Sequence, residues 1–126
     1  MLKREDLAQF TGSEKFYRHW MRKLIYTQGL HYLEENGAAW LLDVIASHQL
    51  KPALNTGDLR DFQLWELKVK DGTGVVTCKA DSDKKPVVTQ KIEFTDFPLD
   101  SIEIFVEMGS IDGINECKIA MLPSER

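Results

Sequence analysis

The sequence is short of most devices that advertise a chemistry. Its 126 residues hold two cysteines, Cys78 and Cys117, too few for the stapled framework of a small secreted domain and without close metal-ligand spacing. The three histidines, His19, His31 and His48, form no His-Glu-x-x-His pair, and His31 with Glu34 and Glu35 supplies one helical edge of a metal site without its second half. Asp81-Ser82-Asp83 starts like a calcium loop but lacks the glycine and the closing glutamate that such a loop needs. Gly72-Thr73-Gly74 is too short to cradle a phosphate and joins two strands instead of opening a helix. No run approaches the roughly 18 apolar residues of a membrane span, and Met1-Leu2-Lys3-Arg4-Glu5-Asp6 lacks the apolar segment of a signal peptide. These gaps predict a cytoplasmic protein with reduced thiols, no membrane association, no metal and no cofactor.

An excess of positive charge is missing too. The net charge is −4, which argues against broad capture of nucleic-acid phosphates, because that needs a concentrated basic face. The distribution is less even than the sum. Residues 1–25 carry six basic against three acidic side chains, so they hold +3 and the remainder −7. The basic end can pair with an acidic partner, with the chain's own acidic remainder, or with water alone.

What is present is an ordinary globular composition, 43% hydrophobic and 29% charged, in a length that suits one domain. Residues 3–9 can form a short first helix, broken at Thr11-Gly12-Ser13. Ser13 is a good N-cap, with Glu14 in the first turn. Phe16, Tyr17, Trp20, Met21, Leu24 and Ile25 then fall at helical spacing, with Lys15, Arg18, Arg22 and Lys23 largely opposite, which predicts an amphipathic second helix. Thr27 is a good N-cap for a third helix that starts at Gln28 or Gly29 and runs to about Asn36, with a C-cap, kink or restart at Asn36-Gly37. Gly37 to His48 is the most apolar run, predicting a water-poor central helix with a single carboxylate, Asp43, in its middle.

Beyond a connector at 51–61, which contains Pro52 and the turn-forming Asn55-Thr56-Gly57-Asp58, the period changes. Phe62 to Val69 and Val75 to Ala80 alternate as a hairpin around Asp71-Gly72-Thr73-Gly74. Val87 to Phe94 alternates with Val88, Gln90, Ile92 and Phe94 on one face, Ser101 to Glu107 with Ile102, Ile104 and Val106 on another, and Lys118 to Leu122 can close the set. Helices first and strands afterwards predict a single α+β domain: N-terminal helices (1–50) packed on a C-terminal antiparallel β-meander (62–126) of four to five strands.

The segments Gln9-Phe10-Thr11-Gly12, Tyr17-Arg18-His19-Trp20, Gly37 to Gln49, Thr89 to Leu99 and Met121 to Glu125 resemble, in the same order, a family of small bacterial proteins. Members also occur on plasmids and phages. The family is catalogued as a domain of unknown function. The resemblance spans nearly the whole chain, implies a stand-alone small protein, and brings no activity or catalytic residue with it.

Asp43 is the leading candidate for function, because an ionised carboxylate in an apolar run is costly unless paired. Ser47 and His48 lie near it along the helix, and Arg18 and His19 can approach from another element, so these five form a candidate polar pocket. It reads either as a buried network that fixes helix packing or as a general base or ligand pocket. Cys78, on a strand without a helix N-terminus or nearby cation, reads as an inert thiol and not a nucleophile. Of Trp20, Trp40 and Trp65, at least two belong in a core, and one left at the surface would mark an interface. Lys15, Tyr17, Trp20, Arg22 and Lys23 are the candidate interface residues. The leading expectation is thus a non-enzymatic protein-interaction module with an unknown protein partner, or a homo-oligomer formed through a sheet edge or the basic second helix. The alternatives are a ligand binder or enzyme built on Asp43 and His48, and a nucleic-acid accessory protein using the basic helix.

Overall fold

The computed structural model describes residues 2–12 and 15–126, and its dominant element is a seven-stranded mixed sheet. After α1 (Arg4–Leu7) come β1 (Phe16–Arg18) and β2 (Ile25–Thr27), then α2 (Gln28–Leu33) and, beyond the kinked stretch Glu34–Ala38, α3 (Ala39–Ser47). A 3-10 turn at Pro52–Leu54 and a short α4 (Gly57–Asp61) lead into β3 (Phe62–Lys70), β4 (Thr73–Lys79), β5 (Val88–Ile92), β6 (Ser101–Gly109) and β7 (Cys117–Met121), and a final 3-10 turn spans Pro123–Glu125. The strands lie in the order β1-β2-β7-β6-β3-β4-β5. Among the described residues every pairing is antiparallel except that of β2 with β7, where Ile25 aligns with Ile119 and Tyr26 with Ala120.

This overturns the expected helices-on-a-meander arrangement. The sheet recruits two strands from the N-terminal part, and β6 inserts between β7 and β3. The amphipathic second helix does not form. Its residues make a hairpin in which Phe16 pairs with Thr27, Tyr17 with Tyr26 and Arg18 with Ile25. The physical reason is that Phe16, Tyr17, Ile25, Tyr26 and Thr27 are aromatic or β-branched and suit a pleated surface, while β7 offers an open edge that pairs β2. Helical spacing was present, but the distant hydrogen-bond partners were the stronger claim. Ser13 and Glu14, the expected cap and first turn of that helix, lie outside the described residues.

The chain between α2 and α3 breaks where the sequence asks for it. Gly37 sits at φ 90°, a left-handed conformation that costs glycine little. Beyond it Leu41, Leu42, Ile45 and Ala46 of α3 are buried and share one core with Leu30 and Leu33 of α2 and with Trp65, Leu67, Val76, Cys78, Ile104 and Val106 of the sheet. Full burial of each large aliphatic side chain contributes about 1.5–3 kcal/mol, which is why the helices lie against this face. The β3–β4 turn also follows the sequence, with Asp71 at φ 54° and Gly72 at φ 76°, the hairpin geometry such residues favour. On β5, Val88 is buried, whereas Phe94 lies past the strand and is 82% exposed.

Opposite the helices, Ile25, Leu64, Ile119 and Met121 are buried outside that core. The terminal Arg126 folds back over this surface, its guanidinium 4.9 Å from the Phe62 ring centre and 5.4 Å from that of Phe105. The C-terminus also closes the other end of the chain. Glu125 is buried and its Oε1 accepts from the Thr27 hydroxyl at 2.6 Å and the Leu122 amide at 3.0 Å, while Oε2 accepts from the Gly29 amide at 3.0 Å. A carboxylate from the chain's end thereby caps the N-terminus of α2. Gly29 has to be glycine for this, since an added Cβ would stand 2.7 Å from Leu122 Cδ1 and 2.8 Å from Glu125 Cδ. No helix among the described residues is long and apolar enough to cross a membrane.

Candidate functional site

The site is built at the tip of the β1–β2 hairpin. Strand alternation turns Tyr17 and His19 toward the helices and Arg18 away from them. A tight turn returns the chain, with the Arg22 amide bonded to the His19 carbonyl at 2.8 Å and the His19 amide to the Leu24 carbonyl at 3.0 Å. His19, 2% exposed, is carried by this turn beneath α3.

There His19 Nε2 lies 2.7 Å from Asp43 Oδ1. The amide of Met21 donates to His19 Nδ1 at 3.1 Å, so Nδ1 is the acceptor and the ring proton sits on Nε2, facing the carboxylate. Both ring nitrogens are then committed. No imidazole lone pair remains to take a proton from a ligand, which a general base requires. Asp43 Oδ1 also accepts from Trp20 Nε1 at 2.8 Å. The carboxylate side chain is 42% exposed, so it escapes most of the cost expected for a charge in an apolar run. The indole it holds is 72% exposed. A large aromatic is thus presented to solvent, fixed from behind by a carboxylate that is fixed by a buried histidine.

A second cluster adjoins it. Tyr17 stacks on His31 at 4.0 Å between ring centres and on Tyr26 at 5.6 Å. His31 Nδ1 lies 3.4 Å from Glu34 and its Nε2 3.2 Å from Glu35, and the Tyr26 hydroxyl donates to the Glu34 carboxylate, 3.0 Å from each oxygen. Burial first, then the hydrogen bond and charge of Glu34, push Tyr26 up to about 12. This hydroxyl therefore stays protonated and acts as a fixed donor.

The other pocket candidates go elsewhere. Ser47 Oγ donates to the Val44 carbonyl at 2.7 Å, within its own helix. His48 Nε2 meets Gln90 Oε1 at 2.7 Å, its ring 5.7 Å from that of Trp65. Five residues along a helix rotate a side chain by about 140° from its start, so His48 diverges from Asp43. Arg18 lines a separate cleft together with Arg22 and Lys23. Of the five pocket candidates the structure joins only His19 and Asp43. Of the interface candidates it places Trp20 on Asp43 and stacks Tyr17 on His31 and Tyr26, leaves Lys15 exposed just before β1, and turns Arg22 and Lys23 to the cleft.

Sequence reasoning missed a buried polar network. Gln49 and Gln63 exchange amide hydrogen bonds at 2.9 Å each, and Trp65 Nε1 donates to Gln63 Oε1 at 2.8 Å. Lys118 Nζ spends its donors on Gln49 Oε1, the Leu54 carbonyl and Asn55 Oδ1 at 2.9–3.1 Å, and burial pulls its pKa down. The available signal was a polar residue at a core-facing strand position, Gln63 in register with Trp65 and Leu67, and a lysine inside the apolar last strand. Both cysteines are free thiols, and burial pushes Cys78 up to about 12. Among the described residues no group of three His, Cys, Asp or Glu side chains could hold a metal ion.

A family model described as a family of unknown function (DUF6876) matches residues 1–126. No curated protein and no solved structure matches the chain.

Proposed function

The chain belongs to that family of unknown function, and from its site we propose that it is a non-enzymatic binding module that captures an extended acidic segment of a partner protein along the open edge of β1. One observation carries this reading: Trp20 is 72% exposed yet held in one orientation by its bond to Asp43. Exposed tryptophans concentrate binding energy, and a side chain ordered beforehand loses less entropy on binding. Phe16, 40% exposed, lies on the same edge strand. Among the described residues β1 has β2 as its one neighbouring strand, so its outer edge is open to pairing with a guest strand. The choice of an acidic guest follows from the charges about the hairpin, Lys15, Arg18, Arg22 and Lys23. The opposite edge, β5, is a poorer candidate, because Pro86 and Lys91 flank or occupy it and such residues discourage pairing.

The test is binding of a synthetic peptide that alternates Glu with Val, against a Lys–Val peptide of equal length. The acidic peptide should broaden the amide resonances of Phe16 to Arg18, weaken with salt, and bind W20A about thirtyfold less tightly, the loss typical of a central anchor. Equal binding of the two peptides, or no binding, would refute the reading.

A further inference from the structure

Beyond that docking edge, though sharing Arg18, Arg22 and Lys23 with the charge invoked there, we propose that the cleft between the β1–β2 turn and the β6–β7 loop binds a small phosphate-bearing organic molecule of about nucleotide size. The cleft measures about 560 Å³, within the range of small-molecule sites. It lies where the hairpin turn, the end of α3, the 3-10 turn Pro52–Leu54 and the loop before β7 meet.

Its charge is unbalanced in a specific way. Arg18, Arg22 and Lys23 line one side, and the side chains of these three form no ion pair or hydrogen bond among the described residues. Of the two acids on the facing loop, Glu116 is paired with Arg60 and Asp112 has its oxygens taken up by neutral donors, which leaves the cleft's cations in excess. Asp112 accepts from Ser110 Oγ, the Ile114 and Asn115 amides and Asn115 Nδ2 at 2.8–3.1 Å. Glu116 Oε2 is bonded to Arg60 at 2.9 Å. At the floor, Lys118 is 9% exposed and its ammonium contacts only neutral oxygens, those of Gln49, Leu54 and Asn55. A buried cation without a counter-charge favours an anion placed nearby. The two guanidiniums supply the forked donors that match a phosphate.

The walls argue for an organic body on that phosphate. Leu24 and Ile25 back the basic side, while Leu50, 69% exposed, and Ile111, 50% exposed, stand at the mouth. Arg22 adds an independent sign. It holds φ 60°, a left-handed conformation in which glycine is the residue without steric cost. Glycine would serve the turn itself better, so the guanidinium is placed at the cleft at a backbone cost.

The experiment titrates the full chain with ADP, with pyrophosphate as the charge alone and adenosine as the body alone, following amide and methyl resonances. ADP should shift Leu24, Ile111 and Lys118 saturably, and bind more tightly than either half. R22G should fold at least as stably as the parent and bind ADP about tenfold less tightly, the equivalent of one charge-assisted hydrogen bond. W20A should leave ADP binding unchanged, which separates this site from the docking edge. Absence of saturable shifts at the cleft, or unaltered ADP affinity in a folded R22G, would overturn the proposal. Equal affinity for ADP and pyrophosphate would overturn the organic body.

Discussion

Replacing Asp43 by alanine tests whether the carboxylate positions the hairpin. The substitution removes the acceptor of two donors, His19 Nε2 at 2.7 Å and Trp20 Nε1 at 2.8 Å. Their fates differ. His19 is 2% exposed, so its N–H is left in the interior without a partner, at a cost of about 1–3 kcal/mol. Trp20 is 72% exposed, and its N–H turns to water at almost no cost. Alanine recovers about 0.5 kcal/mol of helix propensity over aspartate. The net loss is therefore about 1.5 kcal/mol, a fall in Tm of about 6 °C for a chain of this length. W20F should cost little, since it leaves the His19–Asp43 bond intact, and D43N, which keeps an acceptor oxygen, should fall between. Chemical denaturation measures the stability, and the indole N–H resonance of Trp20 reports the orientation. D43A should sharpen that resonance and move it toward the position of a free indole. A D43A protein as stable as the parent, or a W20F protein as destabilised as D43A, would refute the reasoning.

Glu125 should be the costliest single polar residue to change. E125Q puts an amide N–H₂ among three donors, from Thr27, Gly29 and Leu122, and should lose about 2–4 kcal/mol in urea unfolding; G29A should be of similar severity because its methyl meets Leu122 and Glu125. In alkali, Cys78 and Tyr26, both raised to about 12, keep their protons longer in the folded than in the unfolded chain. Their stabilisation is complete below about pH 9 and is lost as pH rises toward 12, at about 1.4 kcal/mol per unit for each group titrating. Lys118, drawn down by burial, works in the opposite direction, so Y26F and C78V should flatten the decline and denaturation across this range measures it. Iodoacetamide near neutral pH should label Cys117 well before Cys78, as mass spectrometry will show; equal labelling would mean that the core opens faster than Cys117 reacts. Gly37→Ala, which forces a side chain into φ 90°, should cost about 1 kcal/mol by the same denaturation assay.

Where the sequence read correctly, the relevant interactions were close in the chain. The apolar run of α3, the break at Gly37, the Asp71-Gly72 hairpin and the Ile102, Ile104, Val106 face of β6 each follow from periodicity or from a backbone conformation that one residue type supplies. Asp43 was legible as out of place, and His19 stood among five candidate neighbours, but nothing local distinguished it from His48 or Arg18. Trp20 was placed with the interface residues, and its bond to Asp43 appears only when the hairpin folds under α3.

Residues 16–27 mark the boundary between the two kinds of information. Their spacing fits one face of a helix, and their residue types fit strands, so the local signal is divided. The decision came from β7, nearly a hundred positions away, whose open edge pairs with β2. The same distance separates Thr27 from Glu125, which caps α2 across 98 residues. Periodicity and turn chemistry act within a few residues, so the sequence alone determined which stretches bury a face and where the chain bends. Hydrogen bonds between strand edges and the pairing of isolated polar groups depend on what the collapsed chain brings within about 3 Å, so the sheet order, the capping carboxylate and the His19–Asp43–Trp20 contact were decided by the tertiary structure.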